Sequence, residues 1–203
     1  MEDSFIDITI KEPKTKTIRI ALPKFTLIGA TTKAGALSKP LRDRFGIMCA
    51  MDYYTNEEIA KIIRRSSKVI DLSIDDESIV QLSKMCRSTP RIANRLLKRV
   101  RDYVLVKCDG RANIDAVNKC MSLLEINENG LDKTDIQILK ALQYSFGGKA
   151  VGLETLSHFI GEDAQSIEDM SEPYLIKEGY IARTPRGRII TEKGSSVIKE
   201  TAE

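Results

Sequence analysis

One stretch, residues 25–46, restricts the possible folds of this 203-residue chain more than any other. It opens with an apolar run at residues 25–28, which ends at Gly29 and is followed by the hydroxyl side chains of Thr31 and Thr32. A run of that length predicts a strand buried on both faces, although a buried helical segment has the same pattern. Polar residues at the carboxyl end of such a strand stand where open α/β sheets bind ligands. The stretch therefore favours part of an α/β sheet with a ligand-binding edge.

The end of the same stretch is rich in arginine. Arg42 and Arg44 flank Asp43, and Gly46 ends the run. A guanidinium group stays charged and donates two parallel hydrogen bonds, so it suits a phosphate. A short helix capped by surface charges has the same local sequence, and the arginines alone leave both interpretations open.

Ahead of this stretch, residues 5–22 alternate between apolar and polar side chains. Two alternating runs, each with three apolar positions, flank a polar turn that contains Pro13. Alternation with a period of two on both sides of such a turn predicts a β-hairpin.

Residues 48–126 have the spacing of amphipathic helices. Thr55 and Glu58 fit a capping box, and Pro90 follows Ser88 and Thr89 as the first residue of another helix. The segment 87–107 holds seven basic residues and one acidic residue. Arg91 falls in the first turn of that helix, where the helix dipole disfavours a cation. A bound anion would resolve this conflict, and so would solvent with acidic neighbours; the sequence leaves both open.

Residues 127–203 form a separate unit after a linker-like break. Thr134 is a possible cap of its first helix, and Ser166 with Asp169 predicts a capping box at its third helix. Pro173 within that third helix predicts a kink or a late start. Residues 180–184 and 188–191 then predict two strands around a turn at 185–187. Three helices followed by a hairpin are the layout of a winged helix, a relative of the helix-turn-helix.

The wing of this unit is basic. Arg183, Arg186 and Arg188 fall within six residues that include no acid. Such a cluster on a protruding turn fits the phosphates of a DNA backbone, and a solvated basic turn is the alternative.

Composition excludes several classes of protein. A net charge of +3 does not by itself indicate nucleic acid, and 42% hydrophobic with 30% charged residues is typical of a soluble globular protein. No secretory signal or membrane-spanning run is present, which predicts a cytoplasmic protein. The four cysteines are far apart and predict buried reduced thiols, the single histidine, His158, predicts helix packing, and no transition-metal site is expected.

Several of these segments closely resemble the RuvB family, the Holliday-junction branch-migration motors of the AAA+ ATPase class. The resemblance rests first on segments 29–35 and 40–46, and segments 89–97, 172–176 and 183–188 agree with the family in the same order. The family's chain is longer, so we expect this chain to be its back portion. The implied fold is a partial AAA+ α/β domain at 1–47, a helical AAA+ lid domain at 48–126 and a C-terminal winged-helix domain at 127–203.

The resemblance implies roles for residues around a nucleotide. Thr32 resembles sensor 1, and Arg44 resembles the arginine finger, which acts in trans on the neighbouring subunit. Tyr54 resembles a residue that lines the nucleotide pocket, and Arg91 resembles sensor 2. Glu2 and Asp3 match positions close to the nucleotide.

The resemblance also implies partners. Arg183 and Arg188 match wing arginines that contact DNA in the family, and Arg186 joins them as a candidate DNA contact because it belongs to the same basic cluster. The hairpin at 5–22 would dock RuvA. The family's assembly is a homohexamer that uses ATP and Mg²⁺ to drive DNA through a Holliday junction.

The sequence contains no Walker A loop and no Walker B acid run. Segment 147–150 imitates the end of a Walker A loop, but Ala150 replaces the required Ser or Thr, and Gln143 stands where the first glycine belongs. We therefore expect this chain alone to be ATPase-inactive and to bind neither ATP nor Mg²⁺ tightly. The alternative is a non-enzymatic winged-helix module that binds DNA.

Overall fold

The computed structural model describes residues 5–10, 16–32 and 34–200. It divides into two compact units, Met1–Met51 and Asp52–Glu203, which we describe separately.

The first unit contains the predicted hairpin. Strands β1 (Phe5–Ile10) and β2 (Lys16–Ala21) pair antiparallel, with Ile6 opposite Ile20 and Ile8 opposite Ile18. These four isoleucines share one face, because directly paired residues of adjacent strands point to the same side. On the other face Arg19 donates a 2.8 Å hydrogen bond to Asp7. The hairpin prediction is confirmed, and its turn at 11–15 lies outside the described residues.

The predicted buried strand at residues 25–28 is not formed. These residues have no regular secondary structure, and their large side chains are exposed, Ile28 to 89%. A strand buried on both faces needs paired neighbours and covering layers. Within the described part of Met1–Met51, β1 and β2 pair only with each other, so nothing there supplies those neighbours. A short 3₁₀ turn (Ala34–Ala36) and helix α1 (Lys39–Arg42) follow.

The second unit begins with a bundle of four helices. These are α2 (Asn56–Val69), α3 (Asp76–Lys84), α4 (Pro90–Lys107) and α5 (Ile114–Leu123). Two short parallel strands, β3 (Ser73–Ile74) and β4 (Arg111–Ala112), pair the connection between α2 and α3 with the connection between α4 and α5. The capping box of Thr55 and Glu58 is confirmed at the start of α2, and Pro90 begins α4 as predicted. Fully buried Ile59, Ile63, Leu82 and Val100 lie in its core.

The rest of the unit is a winged helix. Its elements are α6 (Lys133–Lys140), which continues as a π-helical turn (Ala141–Ser145), then α7 (Leu153–Ile160), α8 (Ala164–Ser166) with a second π-helical turn (Ile167–Ser171), α9 (Glu172–Lys177), β5 (Ile181–Thr184), β6 (Gly187–Ile190) and α10 (Glu192–Glu200). The strands pair antiparallel, and Val151 adds a bridge to Arg188. A second core, separate from the first, includes Leu139, Leu142 and Leu175.

Two helix starts differ from the prediction. Asp132, not Thr134, caps α6 through a capping box with Asp135, and Asp163, not Ser166, caps α8. The late start expected from Pro173 does not occur, because the helical run begins at Ala164 and continues without a gap into α9; a π-helical turn (Ile167–Ser171) lies directly before the first turn of α9, which contains the proline.

The cysteine and histidine predictions hold only in part. Cys86 and Cys120 are buried, and burial raises their pKa values to about 12 and about 11, but Cys49 and Cys108 are exposed. His158 is wrong as a packing residue, because it lies on the exposed face of α7. In the described part of the chain, no helix is long and apolar enough to cross a membrane.

Candidate nucleotide-contacting residues and nucleic-acid interface

Two of the predicted nucleotide-contacting residues lie in the first unit. Thr32 is exposed in the irregular segment before the 3₁₀ turn. Arg44 is exposed just after α1, where its backbone N–H donates a 3.2 Å hydrogen bond to the carbonyl of Leu41. Helix α1 thus fixes the backbone of Arg44 and leaves its guanidinium free to reach outward. Glu2 and Asp3 lie outside the described residues.

The other two lie in the second unit. Tyr54 immediately precedes the capping box of α2 and is exposed. Arg91 is exposed in the first turn of α4, and that turn contains no acidic residue. The conflict between a cation and the positive end of the helix dipole is therefore not relieved within that turn. An exposed cation at this position is well placed to meet an anion.

The described residues do not form a complete nucleotide site. Gly147 and Gly148 adopt left-handed conformations, with φ of 60° and 71°, at the end of the π-helical turn. The amide of Gly148 donates to the carbonyl of Leu142 at 2.9 Å, and that of Lys149 donates to Phe146 at 3.1 Å. Those amides close a helix and cannot cradle a phosphate. No cluster of three or more His, Cys, Asp or Glu side chains suited to a metal occurs in the described part of the chain.

The wing is a short hairpin with two arginines directly across from each other. Arg183 of β5 pairs with Arg188 of β6, and Arg186 is exposed in the turn between the strands. Gly187 has φ of 127°, and a Cβ there would lie 2.1 Å from the carbonyl oxygen of Val151. Only glycine fits this close approach, which holds the wing against the backbone of Val151.

Carboxylates from the preceding helical segment neutralise two of the wing arginines. Arg188 makes a bidentate pair with Glu172, at 3.0 and 2.9 Å, and Arg183 contacts both Glu172 and Glu168. The Glu168 hydrogen bond raises the pKa of Arg183, and the Glu172 charge adds to this. The wing sequence itself contains no acid, but folding brings the acids of a different element alongside these arginines.

Because of these ion pairs, the three arginines differ in how accessible their side chains are to a DNA phosphate. The side chain of Arg188 is only 13% exposed, whereas that of Arg183 is 52% exposed. Arg186 is exposed, with no ion pair to any described residue. Arg186 and the outer edge of Arg183 can therefore meet a phosphate, while Arg188 fastens the wing to α9.

The helical segment that precedes the wing is acidic. Residues 150–176 include no lysine or arginine, and Glu168 and Asp169 lie on its second π-helical turn. A helix with this charge is poorly suited to a DNA groove lined by phosphates. Of this segment and the wing, only the wing therefore offers lysine or arginine side chains to a phosphate.

A helical bundle that carries Arg91 at a helix start, followed by a winged helix, is the arrangement of an AAA+ lid domain joined to a winged-helix domain. Three family profiles match successive parts of the chain: the Holliday junction DNA helicase RuvB P-loop domain at residues 1–51, the RuvB AAA lid domain at 54–127 and the RuvB C-terminal winged helix domain at 128–199. The chain therefore belongs to the RuvB family.

Individual relatives agree. A Holliday junction branch migration complex subunit RuvB from Clostridium kluyveri is 49% identical over 202 residues, which cover 99% of this chain and 58% of the relative. A solved structure of RuvB from Thermotoga maritima, described as the Holliday junction branch migration motor, is 46% identical with a TM-score of 0.78, and covers 88% of this chain and 60% of that one. The chain thus spans less than two thirds of the relatives it matches.

Proposed function

We propose that this chain supplies the DNA-engaging part of an ATP-driven motor that moves duplex DNA through a Holliday junction. The observation that carries the proposal is the winged helix with an exposed basic wing, in a chain of the RuvB family. Arg186 and Arg183 would contact backbone phosphates, and Arg188 would hold the wing in place. Such contacts neutralise charge without reading bases, which suits a motor that must pass over any sequence.

The nucleotide roles remain part of the same proposal. Arg44 would reach into the neighbouring subunit of a homohexamer to stabilise the transition state, and Arg91, Tyr54 and Thr32 would contact the nucleotide of their own subunit. Hydrolysis of ATP with Mg²⁺ supplies the energy for movement. The P-loop and the magnesium ligands must come from residues other than those described, so this chain alone is expected to be inactive.

The hairpin is the proposed docking site for RuvA. Its four paired isoleucines, Ile6, Ile8, Ile18 and Ile20, are between 38% and 48% exposed on one face. An exposed apolar face on a two-stranded sheet favours association with another chain. The relatives are named as subunits of a branch migration complex, which supports a partner protein.

The division into domains at 47/48 and 126/127 is also proposed.

A chimera tests the motor. We would join the P-loop portion of the Clostridium kluyveri relative that this chain does not cover to the 203 residues, and measure ATP turnover with and without duplex DNA. We expect turnover that DNA stimulates, equally for unrelated duplexes. Duplex binding without any turnover would favour a non-enzymatic DNA-binding module instead, and failure to bind duplex DNA would contradict both.

A further inference from the structure

The lid bundle and the winged helix meet around one arginine, Arg87, which lies just before α4. Its Nε donates to the carbonyl oxygen of Gly130 at 2.8 Å, and its Nη2 donates to Asp132 at 2.9 Å and also to Asp135. The side chain of Arg87 is 13% exposed and that of Asp135 is fully buried. One guanidinium from the lid thus contacts three residues at the start of the winged helix, Gly130, Asp132 and Asp135.

Neighbouring contacts reinforce this junction from α9. The Arg87 guanidinium lies 5.0 Å from the centre of the Tyr174 ring, and the Tyr174 hydroxyl donates to the carbonyl of Asn129 at 2.7 Å. Burial raises the pKa of Tyr174, so that hydroxyl remains a donor. Lys177 donates to the hydroxyl of Ser88 at 2.7 Å. The start of α6 and the end of α9 therefore both contact residues 87 and 88.

The backbone at the junction is shaped for these contacts. Arg87 and Ser88 both have positive φ, 52° and 54°, which residues other than glycine rarely adopt. Across from them, a Cβ on Gly130 would lie 2.8 Å from the carbonyl oxygen of Met85. Two strained residues and a close glycine persist only where the surroundings fix them. The junction is therefore a defined fit and not a loose linker.

The same segment leads directly into the helix of Arg91. Thr89, the N-cap of α4, donates its hydroxyl to the carbonyl of Arg87 at 3.0 Å. Arg91 follows in the first turn of α4. Any displacement of the start of α4 must therefore move residues 87 and 88 as well.

We propose that Arg87 is a positioning residue that holds the winged helix in one orientation on the start of α4, so that a movement of Arg91 is carried to the wing. The held orientation is inferred from the contacts around Arg87 and does not depend on the proposed function. The link between Arg91 and the wing rests on the function proposed above.

Residual dipolar couplings of the isotopically labelled 203-residue chain test the orientation without DNA or nucleotide. We expect the amides of α2–α5 and those of the winged helix to fit a single alignment tensor in the parent. Arg87→Ala should require two different tensors, while amide shifts far from the junction stay unchanged in both parts. Arg64→Ala is the matched control, because it removes an arginine that pairs with Asp76 inside the lid, and it should keep one tensor.

Two results would overturn the proposal: separate tensors in the parent, or a single tensor in folded Arg87→Ala. If Arg87→Ala does not fold, Arg87→Lys decides, since it keeps the charge but cannot contact Gly130, Asp132 and Asp135 together. We expect two tensors for Arg87→Lys, and one tensor would overturn the proposal.

A second readout separates this inference from the proposed motor. In the chimera, Arg87→Ala should lower the ratio of DNA-stimulated to unstimulated turnover towards one, and Arg64→Ala should not change it. A parent chimera without DNA stimulation would count against the motor and leave the dipolar-coupling result intact. An unchanged ratio in Arg87→Ala, with the parent stimulated, would show that the held orientation does not carry the signal.

Discussion

Two buried carboxylates, Asp135 and Glu172, explain much of the arrangement of charge in the second unit. Each lies at the start of a helical element and is paired with arginines, Asp135 with Arg87 and Glu172 with Arg188 and Arg183. Burying a carboxylate is costly unless a partner compensates its charge. Each carboxylate therefore fixes an arginine that would otherwise be mobile, one at the junction of the lid and the winged helix and one at the base of the wing.

Asp135 should titrate well above an ordinary aspartate. Its pKa is raised to about 6: burial is the main cause, the charge of Arg87 opposes the rise, and the charge of the neighbouring Asp132 contributes to it. We expect the carboxyl ¹³C shift of Asp135 to titrate near pH 6, and Arg87→Ala to move the midpoint higher because the lowering charge is gone. Arg64→Ala should leave it in place. A midpoint near 4 in the parent would contradict the effect of burial.

The raised pKa of Asp135 also determines how its contribution to folding stability changes with pH. An unfolded aspartate titrates near about 3.9, so the folded chain retains this proton over a range where the unfolded chain has lost it. The contribution of Asp135 to stability is therefore full below about pH 4 and is lost as the pH rises through the folded pKa. The difference in unfolding free energy between the parent and Asp135→Asn, followed from pH 4 to 7, should show that trend.

Arg186 is the wing residue most available to DNA. We expect Arg186→Ala to weaken duplex binding equally on unrelated sequences and to flatten the plot of log affinity against log salt by about 0.9, the value for one phosphate contact. Lys140→Ala, the same loss of charge on α6, is the control and should leave the slope unchanged. Fluorescence anisotropy over a salt series measures both. An unaltered slope in Arg186→Ala would remove this residue from the interface.

At the scale of whole elements, the sequence predicted the features that depend on neighbouring residues. It did not predict those that depend on tertiary packing. The hairpin, the capping box at Thr55, the start of α4 at Pro90 and the wing could all be predicted, because each depends on neighbours in the sequence. Helix starts at Asp132 and Asp163 were missed, since several residues that can cap lie within a few positions and packing selects among them. The two-residue strands β3 and β4 are too short to leave a pattern.

The candidate sites show the same limit. The basic wing was evident from the sequence, but its pairing with Glu168 and Glu172 was not, because those acids lie 11 or more residues earlier in the chain. Arg87 was counted with the basic residues of the α4 segment, and only the fold brings it to Asp135, 48 residues away. The apolar run at 25–28 has the sequence of a buried strand, and the described residues provide no sheet for it.

This missing sheet leads to a prediction about local stability. In the first unit the apolar side chains of the hairpin and of residues 25–28 are exposed, whereas the second unit contains both cores. We expect the amide hydrogens of residues 16–47 to exchange fastest, and those of α4 and α6 to be the most protected. Hydrogen exchange followed by mass spectrometry on the monomer measures this. Equal protection in both regions would contradict it.

At the scale of the whole molecule, the residues proposed to contact nucleotide and those proposed to contact DNA lie on different elements. Arg91 lies on the lid, the wing lies at the far end of the sequence, and Arg87 connects the start of α4 to the winged helix. A chain organised in this way can pass a small local displacement to a distant surface only if the intervening domains move together.

Arg44 should act on a neighbouring subunit. In the chimera, Arg44→Ala should leave ATP binding largely intact and lower turnover by roughly 10³ to 10⁵, the range for an arginine supplied in trans. Mixing it with parent subunits should depress activity by more than dilution, because each site depends on its neighbour. Arg42→Ala, the arginine two residues earlier, is the control. Full turnover by the Arg44→Ala assembly, or a loss in the mixture that only follows dilution, would contradict a role in trans.

The winged helix alone, residues 127–203, should fold, because its core is separate from that of the lid, and it should bind duplex DNA weakly without sequence preference. The isolated domain lacks Arg87, the charge partner of Asp135 in the 203-residue chain, and a buried carboxylate that loses its partner costs about 3 to 5 kcal/mol. Asp135→Asn should therefore stabilise the isolated domain at pH 7.5, and by more than it stabilises the 203-residue chain. The gain should shrink at pH 5, where the parent carboxyl already holds its proton. Urea unfolding of both forms at both pH values measures the effect. Equal stability of the two isolated forms at pH 7.5 would show that Arg87 is not the partner that Asp135 requires.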